Sequence, residues 1–246
     1  MKHIRSLVYR IALGCALVML CLACAVVLLR VMLIRAYPLS CSTLLRYTWY
    51  LELTDLRDEH PERKYPAMSS VPGALFLPYE AVHHEFVNVN GYLFCIGASR
   101  EYRAIPTEVQ FAEPTYAYFG YALASEDEML AFLETYPRFI ESAANFDEDL
   151  PAPAGRGSFG GDQFLRLTDE TAQNYGDASG SVPLIFEIPT YSAEGYTYRH
   201  WEEGGMVLYL STHLKLVRRG EDYPLTPAVI ERIGAIKAMY RHQPGH

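Results

Sequence analysis

The chain is poor in cysteine, and the positions of its cysteines exclude the usual cysteine-based sites. It has five in 246 residues. Three of them, Cys15, Cys21 and Cys24, lie within a hydrophobic run near the N-terminus, and no Cys-x-x-Cys pair occurs beyond that run. Zinc-ribbon and thioredoxin-like sites need such pairs outside a membrane segment, so we exclude both. Cys41 and Cys95 are the remaining two, and we predict a disulfide between them if their domain is exported to an oxidising compartment.

Charged side chains are scarce at the N-terminus, whereas the rest of the chain is acidic. The only ones before residue 36 are five basic residues: Lys2, Arg5, Arg10, Arg30 and Arg35. The whole chain has 21 Lys+Arg and 29 Asp+Glu, so 16 basic and 29 acidic side chains remain beyond residue 35, a formal net charge of −13. A domain with this charge repels phosphate backbones, and we expect no nucleic-acid partner.

The uncharged run from Ile11 to Leu29 predicts a membrane anchor. As a helix it would be about 28 Å long at ~1.5 Å per residue, close to the thickness of one hydrocarbon core. More basic groups precede the run than follow it, which favours a cytoplasmic N-terminus. We therefore predict a single-pass anchor over residues 1–36, with the lipid bilayer as its partner, and an extracytoplasmic domain over residues 37–246.

A cleaved signal peptide is the alternative to a retained anchor. Ala23-Cys24-Ala25 has the small-x-small form that signal peptidases prefer. Six more residues follow at once from Val26 to Val31, five of them apolar, where a short polar stretch is expected. This continuation favours retention of the anchor.

Hydrophobic periodicity predicts an α+β domain beyond the anchor. In its first half, apolar residues recur at helical spacing around Leu44, Tyr47 and Leu51, and aromatic-rich runs of strand length follow a proline-containing segment. The predicted elements are a helix at about 39–57, a loop at 60–73, and strands at 91–96 and 115–121.

Two further helices carry start signals. Ser125 with Glu128 forms a capping box, and Thr226 with Pro227 supplies an N-cap and a first-turn proline. Pro137 should break or kink the first of these helices, which would resume over 139–146. The closing helix is predicted over 226–241, with one apolar side: Val229, Ile230, Ile233, Ile236 and Met239.

Strands are also predicted in the second half of the chain. A Pro/Gly-rich loop over 147–163 precedes short strands at 164–167 and 183–188. The segment 206–217 alternates, which predicts one long strand with a core face and a mixed face. The core face would hold Met206, Leu208, Leu210, Thr212, Leu214 and Leu216. The mixed face would hold Val207, Tyr209, Ser211, His213, Lys215 and Val217.

Several motifs that often carry chemistry lack their structural context here. The Gly-x-Gly-x-x-Gly match at 155–160 follows prolines instead of a strand, so we predict a loop and no dinucleotide site. His83-His84-Glu85 resembles the start of a zinc-protease motif, but the second histidine would fall at Asn88. No Gly-x-Ser-x-Gly nucleophile motif occurs.

One histidine set keeps a metal site open as an alternative. His200, Glu202, Glu203 and His213 could gather at a sheet edge and hold zinc or a similar ion. A surface histidine pair with loop carboxylates is the interpretation we favour. We therefore predict no catalytic, cofactor-binding or metal-binding residue.

The order of the segments resembles the pilin-like proteins of the prepilin-type processing-associated family, which end in a His-x9-Asp-Gly motif. The segments that carry the resemblance are Cys41-Ser-Thr-Leu-Leu-Arg, the Tyr65-Pro66 loop, Tyr116-Ala-Tyr-Phe-Gly-Tyr121, Val182 to Glu187, His200 with Gly205 to Leu210 and His213, and Asp222 to Thr226. The chain departs from the family twice. Ser211-Thr212 stands in place of Asp-Gly, and no Glu follows Gly14 in the hydrophobic run.

The resemblance implies a fold and a function. The fold would be an N-terminal transmembrane helix that continues into a pilin-like helix packed on an antiparallel sheet, with a C-terminal helix. The function would be that of a non-catalytic pilin- or pseudopilin-like envelope protein, with a structural or interaction role in an envelope protein assembly such as type II secretion or a pilus-like machine. The alternative is an envelope metal-dependent hydrolase that uses His200, His213 and the nearby glutamates.

Overall fold

A computed structural model of the chain describes residues 14–15, 17–29, 32, 45, 49–70, 116–174, 180–188, 190–192, 195–197, 204–218, 220 and 222–240. The chain divides into two compact units, Met1–Ser40 and Cys41–His246. The predicted strand at 91–96 and the predicted Cys41–Cys95 disulfide lie outside the described residues.

In the first unit, the described residues 14–15, 17–29 and 32 are helical and exposed. They include large apolar side chains such as Leu20 and Val26, which are 61% and 64% exposed. Among the described residues, no helix has both the length and the apolar character needed to cross a membrane. The predicted transmembrane helix is therefore not among the described elements.

The second unit is an α+β domain, as predicted, with an antiparallel sheet and helices. Its described helices are α1 (Tyr50–Glu59), α2 (Glu126–Glu141), α3 (Asp169–Asn174) and α4 (Pro227–Tyr240), with a 3₁₀ turn at Ser158–Gly160. Its described strands are β1 (Tyr116–Tyr118), β2 (Leu150–Pro151), β3 (Gln163–Phe164), β4 (Pro183–Glu187), β5 (Thr190–Ser192), β6 (Gly195–Thr197), β7 (Gly204–Tyr209) and β8 (Leu214–Arg218).

The main sheet has four antiparallel strands in the order β1-β4-β7-β8. Tyr118 lies opposite Ile185, and Ile185 lies opposite Leu208, which sets the register of the first three strands. The register shifts between Pro183 and Ile185, so that one extra residue in β4 bulges against β7. The pairs β2–β3 and β5–β6 form separate two-stranded ribbons.

Both faces of the main sheet are buried along β1, β4 and β7, whereas most of β8 is exposed. One face packs against Trp49 and Leu53 of the α1 segment through residues such as Leu208. The other face packs against α2 and α4 through residues such as Phe186 and Val207. The face predicted to be core is exposed at Thr212 and Leu216, so that part of the prediction was wrong. The face predicted to be mixed is mixed, because α2 and α4 cover its Val207 end while Lys215 is exposed.

The predicted strand over 206–217 is in fact two strands joined by a tight turn. β7 ends at Tyr209 and β8 begins at Leu214. Alternation continues across the turn because Leu208 and Leu214 lie directly opposite each other in the hairpin. The turn contains no Gly, Asn or Pro to mark it in the sequence, which is why the pattern predicted a single strand.

The capping signals are confirmed for both later helices. The Glu128 N–H donates to the Ser125 hydroxyl at 3.4 Å, and the Glu128 carboxylate accepts from the Ala124 N–H at 2.6 Å. At α4, the Val229 N–H donates to the Thr226 hydroxyl at 3.4 Å. Met239 is 55% exposed, so its assignment to the apolar side of that helix was wrong.

Pro137 does not end its helix, because α2 continues through it to Glu141. Phe139 follows within the helix and packs against Phe132 and Phe164 at centroid distances of 6.1 and 6.3 Å. This aromatic packing offsets the lost hydrogen bond at the proline. The helix predicted over 39–57 is described from Tyr50 to Glu59, and of its earlier part only Leu45 and Trp49 are among the described residues.

Candidate functional site

The β7–β8 hairpin turns through a three-residue loop. The Thr212 N–H donates to the Tyr209 carbonyl at 2.9 Å, and the Tyr209 N–H donates to the His213 carbonyl at 3.0 Å. Thr212 has a φ of 68°, the left-handed conformation that closes such loops. This geometry places His213 beside the tip of the hairpin.

His213 is exposed and has structural partners on its own hairpin. Its ring stacks on Tyr209 with a centroid distance of 4.3 Å and an interplanar angle of 10°. Its Nδ1 lies 2.6 Å from the Ser211 hydroxyl. Burial raises the pKa of the Tyr209 phenol to about 12, so that the ring beneath the histidine is neutral at physiological pH. The contacts of His213 with Tyr209 and Ser211 stabilise the turn of the hairpin.

The structure does not bring the proposed metal ligands together within its described residues. His200, Glu202 and Glu203 lie outside those residues, as do His83, His84 and Glu85. Among the residues that are described, no group of three or more His, Cys, Asp or Glu side chains is arranged to hold a metal ion. The alternative based on His200 and His213 thus stays a prediction.

The glycine-rich segment 155–160 forms a loop between the short strands β2 and β3, as predicted. Arg156 ties this loop to helix α2, because its guanidinium pairs with Asp127 at 2.9 Å and with Glu134 at 3.0 Å. The next described strand follows the motif directly, whereas a dinucleotide-binding loop opens a helix.

Sequence reasoning missed a buried guanidinium. Arg166 is only 2% exposed, and it donates to the backbone carbonyls of Gly120 and Tyr65. It also lies 5.2 Å from the centroid of the Tyr121 ring and 3.7 Å from an oxygen of Asp147. Arg166 thus connects the stretches that contain Tyr65, Gly120 and Asp147, which gives it a structural role.

A second charged group, the carboxylate of Asp169, holds α1 and the segment after it against α3. The two oxygens of Asp169 bind different arginines, Arg57 at 2.9 Å and Arg63 at 2.5 Å. The guanidinium of Arg57 also lies 5.2 Å from the centroid of the Tyr65 ring. One local signal marks the helix that carries Asp169. Thr168 precedes it, and the Thr168 hydroxyl accepts from the Thr171 N–H at 2.9 Å and so caps α3.

An open depression of about 640 Å³ lies beside these ion pairs, lined partly by Arg63, Lys64 and Asp169. Its cations already have partners, because Arg63 binds Asp169 and Lys64 binds Glu62 at 2.6 Å. A substrate would have to displace these contacts. The cationic side chains of this depression therefore form ion pairs within the protein and are not positioned to bind a substrate.

No family model, no curated protein and no solved structure matches the chain.

Proposed function

We propose that the chain is a non-catalytic, membrane-anchored envelope protein of pilin-like organisation. In this proposal a single N-terminal helix holds the chain in the bilayer, and the α+β domain lies outside the cytoplasm. The domain would have a structural or interaction role in an envelope assembly such as a type II secretion or pilus-like machine.

The exposed apolar helix of residues 17–29 is the observation that carries this proposal. All of its described side chains are exposed, including Leu17, Val18 and Leu28 at 54%, 60% and 59%. Contiguous apolar surface of this kind marks a site that another phase or molecule covers. A bilayer covers a helix on all sides, whereas a groove on a partner protein covers one side.

The packing of the domain is compatible with the pilin-like part of the proposal. The segment that holds Leu45, Trp49 and Leu53 packs on one face of an antiparallel sheet. In the pilin arrangement, a helix that continues from the membrane lies against a sheet in this way. The charged side chains described above, Arg166 and Asp169 among them, engage other parts of the fold, which supports a structural role over a catalytic one.

Fractionation of cells that produce the full chain tests the anchor. We expect the protein to stay in the membrane pellet after an alkaline carbonate wash, with its C-terminus accessible to protease from outside the cytoplasmic membrane. A matched pair of variants sharpens the test. Leu20→Arg with Val26→Arg should release the protein, whereas Met239→Arg should leave it in the pellet. A soluble wild-type form that begins at Val26 would refute the anchor.

Metal analysis of the purified full chain tests the assignment as non-catalytic. We expect substoichiometric zinc that is unchanged in a His213→Ala variant. Stoichiometric zinc that is lost in both His200→Ala and His213→Ala would instead support the hydrolase.

A further inference from the structure

Among the described strands, β8 lies at the edge of the main sheet. It pairs with β7 on one side, and none of the strands that the structure describes pairs with its other side. Lys215, Leu216 and Arg218 are exposed, and Leu216 is an apolar side chain that is 39% exposed. An edge strand of this kind is a template for pairing with another strand.

The hairpin fixes which backbone groups of β8 point outward. The bond from the Tyr209 N–H to the His213 carbonyl makes these two residues a hydrogen-bonded pair. Such pairs alternate along an antiparallel ladder, so Lys215 and Val217 also bond to β7. The backbone groups that point away from β7 belong to the intervening residues: Leu214, Leu216 and Arg218.

We propose that β8 pairs with β8 of a second copy of the chain, antiparallel and about a two-fold axis at Leu216. The three residues with outward groups then pair with one another, since Leu216 faces its own copy and Leu214 faces Arg218. Lys215 faces Val217. Every outward N–H and carbonyl of the strand thus finds a partner, and no two like charges lie directly opposite.

Other two-fold registers fit less well. An axis at Arg218 would place two guanidinium groups opposite each other, which is destabilising. An axis at Leu214 would pair Leu216 with Thr212, which lies in the turn. An axis at Lys215 or Val217 would align groups that already bond to β7. Only a two-fold axis at Leu216 therefore pairs all the outward backbone groups of β8.

The same register covers the exposed leucine. Leu216 lies opposite Met206, and directly opposed side chains share a face, so Leu216 projects on the α1 side of the sheet. In the dimer the two Leu216 side chains become neighbours on that face. Two four-stranded sheets then form one continuous sheet of eight strands. Pairing of the two β8 strands requires neither the membrane anchor nor a pilin-like organisation.

The mass of the purified full chain in detergent, measured by light scattering after size exclusion, tests the dimer. We expect a dimer for the wild type and a monomer for Leu216→Lys, because a lysine at the axis places two charges side by side. Leu51→Lys is the matched control, since Leu51 is a leucine of α1 that is 49% exposed and is not part of β8. A wild-type monomer at the highest attainable concentration, or a dimer that both variants affect equally, would overturn the proposal.

Disulfide trapping gives a second readout that does not require a disruptive substitution. Residues in a hydrogen-bonded antiparallel pair have Cα atoms about 5.5 Å apart, within the range that a disulfide spans. Under mild oxidation, Leu216→Cys should form a cross-linked dimer in excess of the wild type, which contains the same native cysteines. Leu51→Cys should show no excess. Equal cross-linking of the two variants would contradict pairing at β8.

Discussion

Arg166 and Gly120 occupy a shared space in the domain. The guanidinium of Arg166 donates to the Gly120 carbonyl and lies where a Gly120 side chain would project. The Pro66 carbonyl is 2.9 Å from that same position, and the φ of Gly120 is +69°. Position 120 therefore needs glycine for two independent reasons, its backbone conformation and the close approach of a buried cation.

The first prediction separates these two reasons. Gly120→Ala should lower the free energy of unfolding by about 3 kcal/mol, from left-handed strain of about 1–2 kcal/mol plus the displacement of Arg166. Gly155→Ala is the control, because Gly155 has the same φ of +69° and no atom within 4 Å of an added Cβ. Gly155→Ala should therefore lower the free energy of unfolding by the left-handed strain alone, about 1–2 kcal/mol. Urea unfolding followed by tryptophan fluorescence measures both, and equal losses would show that Arg166 moves aside freely.

The second prediction concerns the strained residue in the hairpin. Thr212 is a β-branched residue with a φ of 68°, and Thr212→Gly should raise the free energy of unfolding by about 0.5–1 kcal/mol. Ser211→Gly should not stabilise the chain, because Ser211 has no positive φ and its hydroxyl contacts His213. Thermal unfolding of the two variants measures the difference. A stability gain for Ser211→Gly alone would contradict the turn geometry.

The third prediction compares the two sides of the hairpin tip. Leu210 is 6% exposed and packs in the α1-side core, so Leu210→Asp should cost several kcal/mol through an unpaired buried carboxylate. His213 is exposed on Tyr209, so His213→Ala should cost less than about 1 kcal/mol. The melting temperatures of the Leu210→Asp and His213→Ala variants, measured on the full chain in detergent, show which variant loses more stability. Comparable losses would mean that His213 has a buried or metal-bound role.

The fourth prediction is a pH dependence that Glu128 contributes. Burial raises the pKa of its carboxyl, against the lowering effect of the Ala124 N–H and other donors. A folded-state pKa above the unfolded value means that the folded chain binds more protons, so stability from this group is present at low pH and is lost as pH rises through the folded pKa.

Glu128→Gln removes this titration. The stability of the wild type relative to Glu128→Gln should therefore fall as pH is raised from below about 4.3, the usual glutamate value, toward neutrality. Glu141→Gln, at the exposed end of the same helix, controls for the loss of one carboxyl group. Urea unfolding across this pH range gives the comparison. A relative stability that rises with pH would refute the assignment.

The sequence predicted the starts of two helices correctly, because the hydrogen bonds that cap these helices join residues that are close in the chain. Ser125 with Glu128 and Thr226 with Pro227 mark their helices because the capping atoms lie within a few residues of each other. The hairpin was missed because Thr212 takes a conformation that its residue type disfavours.

The site-level features depend on contacts between distant parts of the chain. Arg166 reaches the Tyr65 carbonyl across 101 positions, and no spacing rule connects them. A lone arginine between Leu165 and Leu167 reads as a residue on the exposed face of a strand, because arginine is rarely buried without a partner. The same limit applies to the second buried face of the sheet, since alternation reports which residues share a face and not how many faces are covered.

The position of α4 in the chain sets the time at which the domain can close. Ile230, Ile233 and Ile236 complete the core that covers Phe186 and Val207, yet they follow all four strands of the main sheet in the chain and are synthesised after them. A nascent chain that has reached β8 already contains the sheet strands but lacks this cover. That face of the sheet is covered by α2 alone until α4 has left the ribosome, so the sheet should gain its full protease resistance only once α4 has been made.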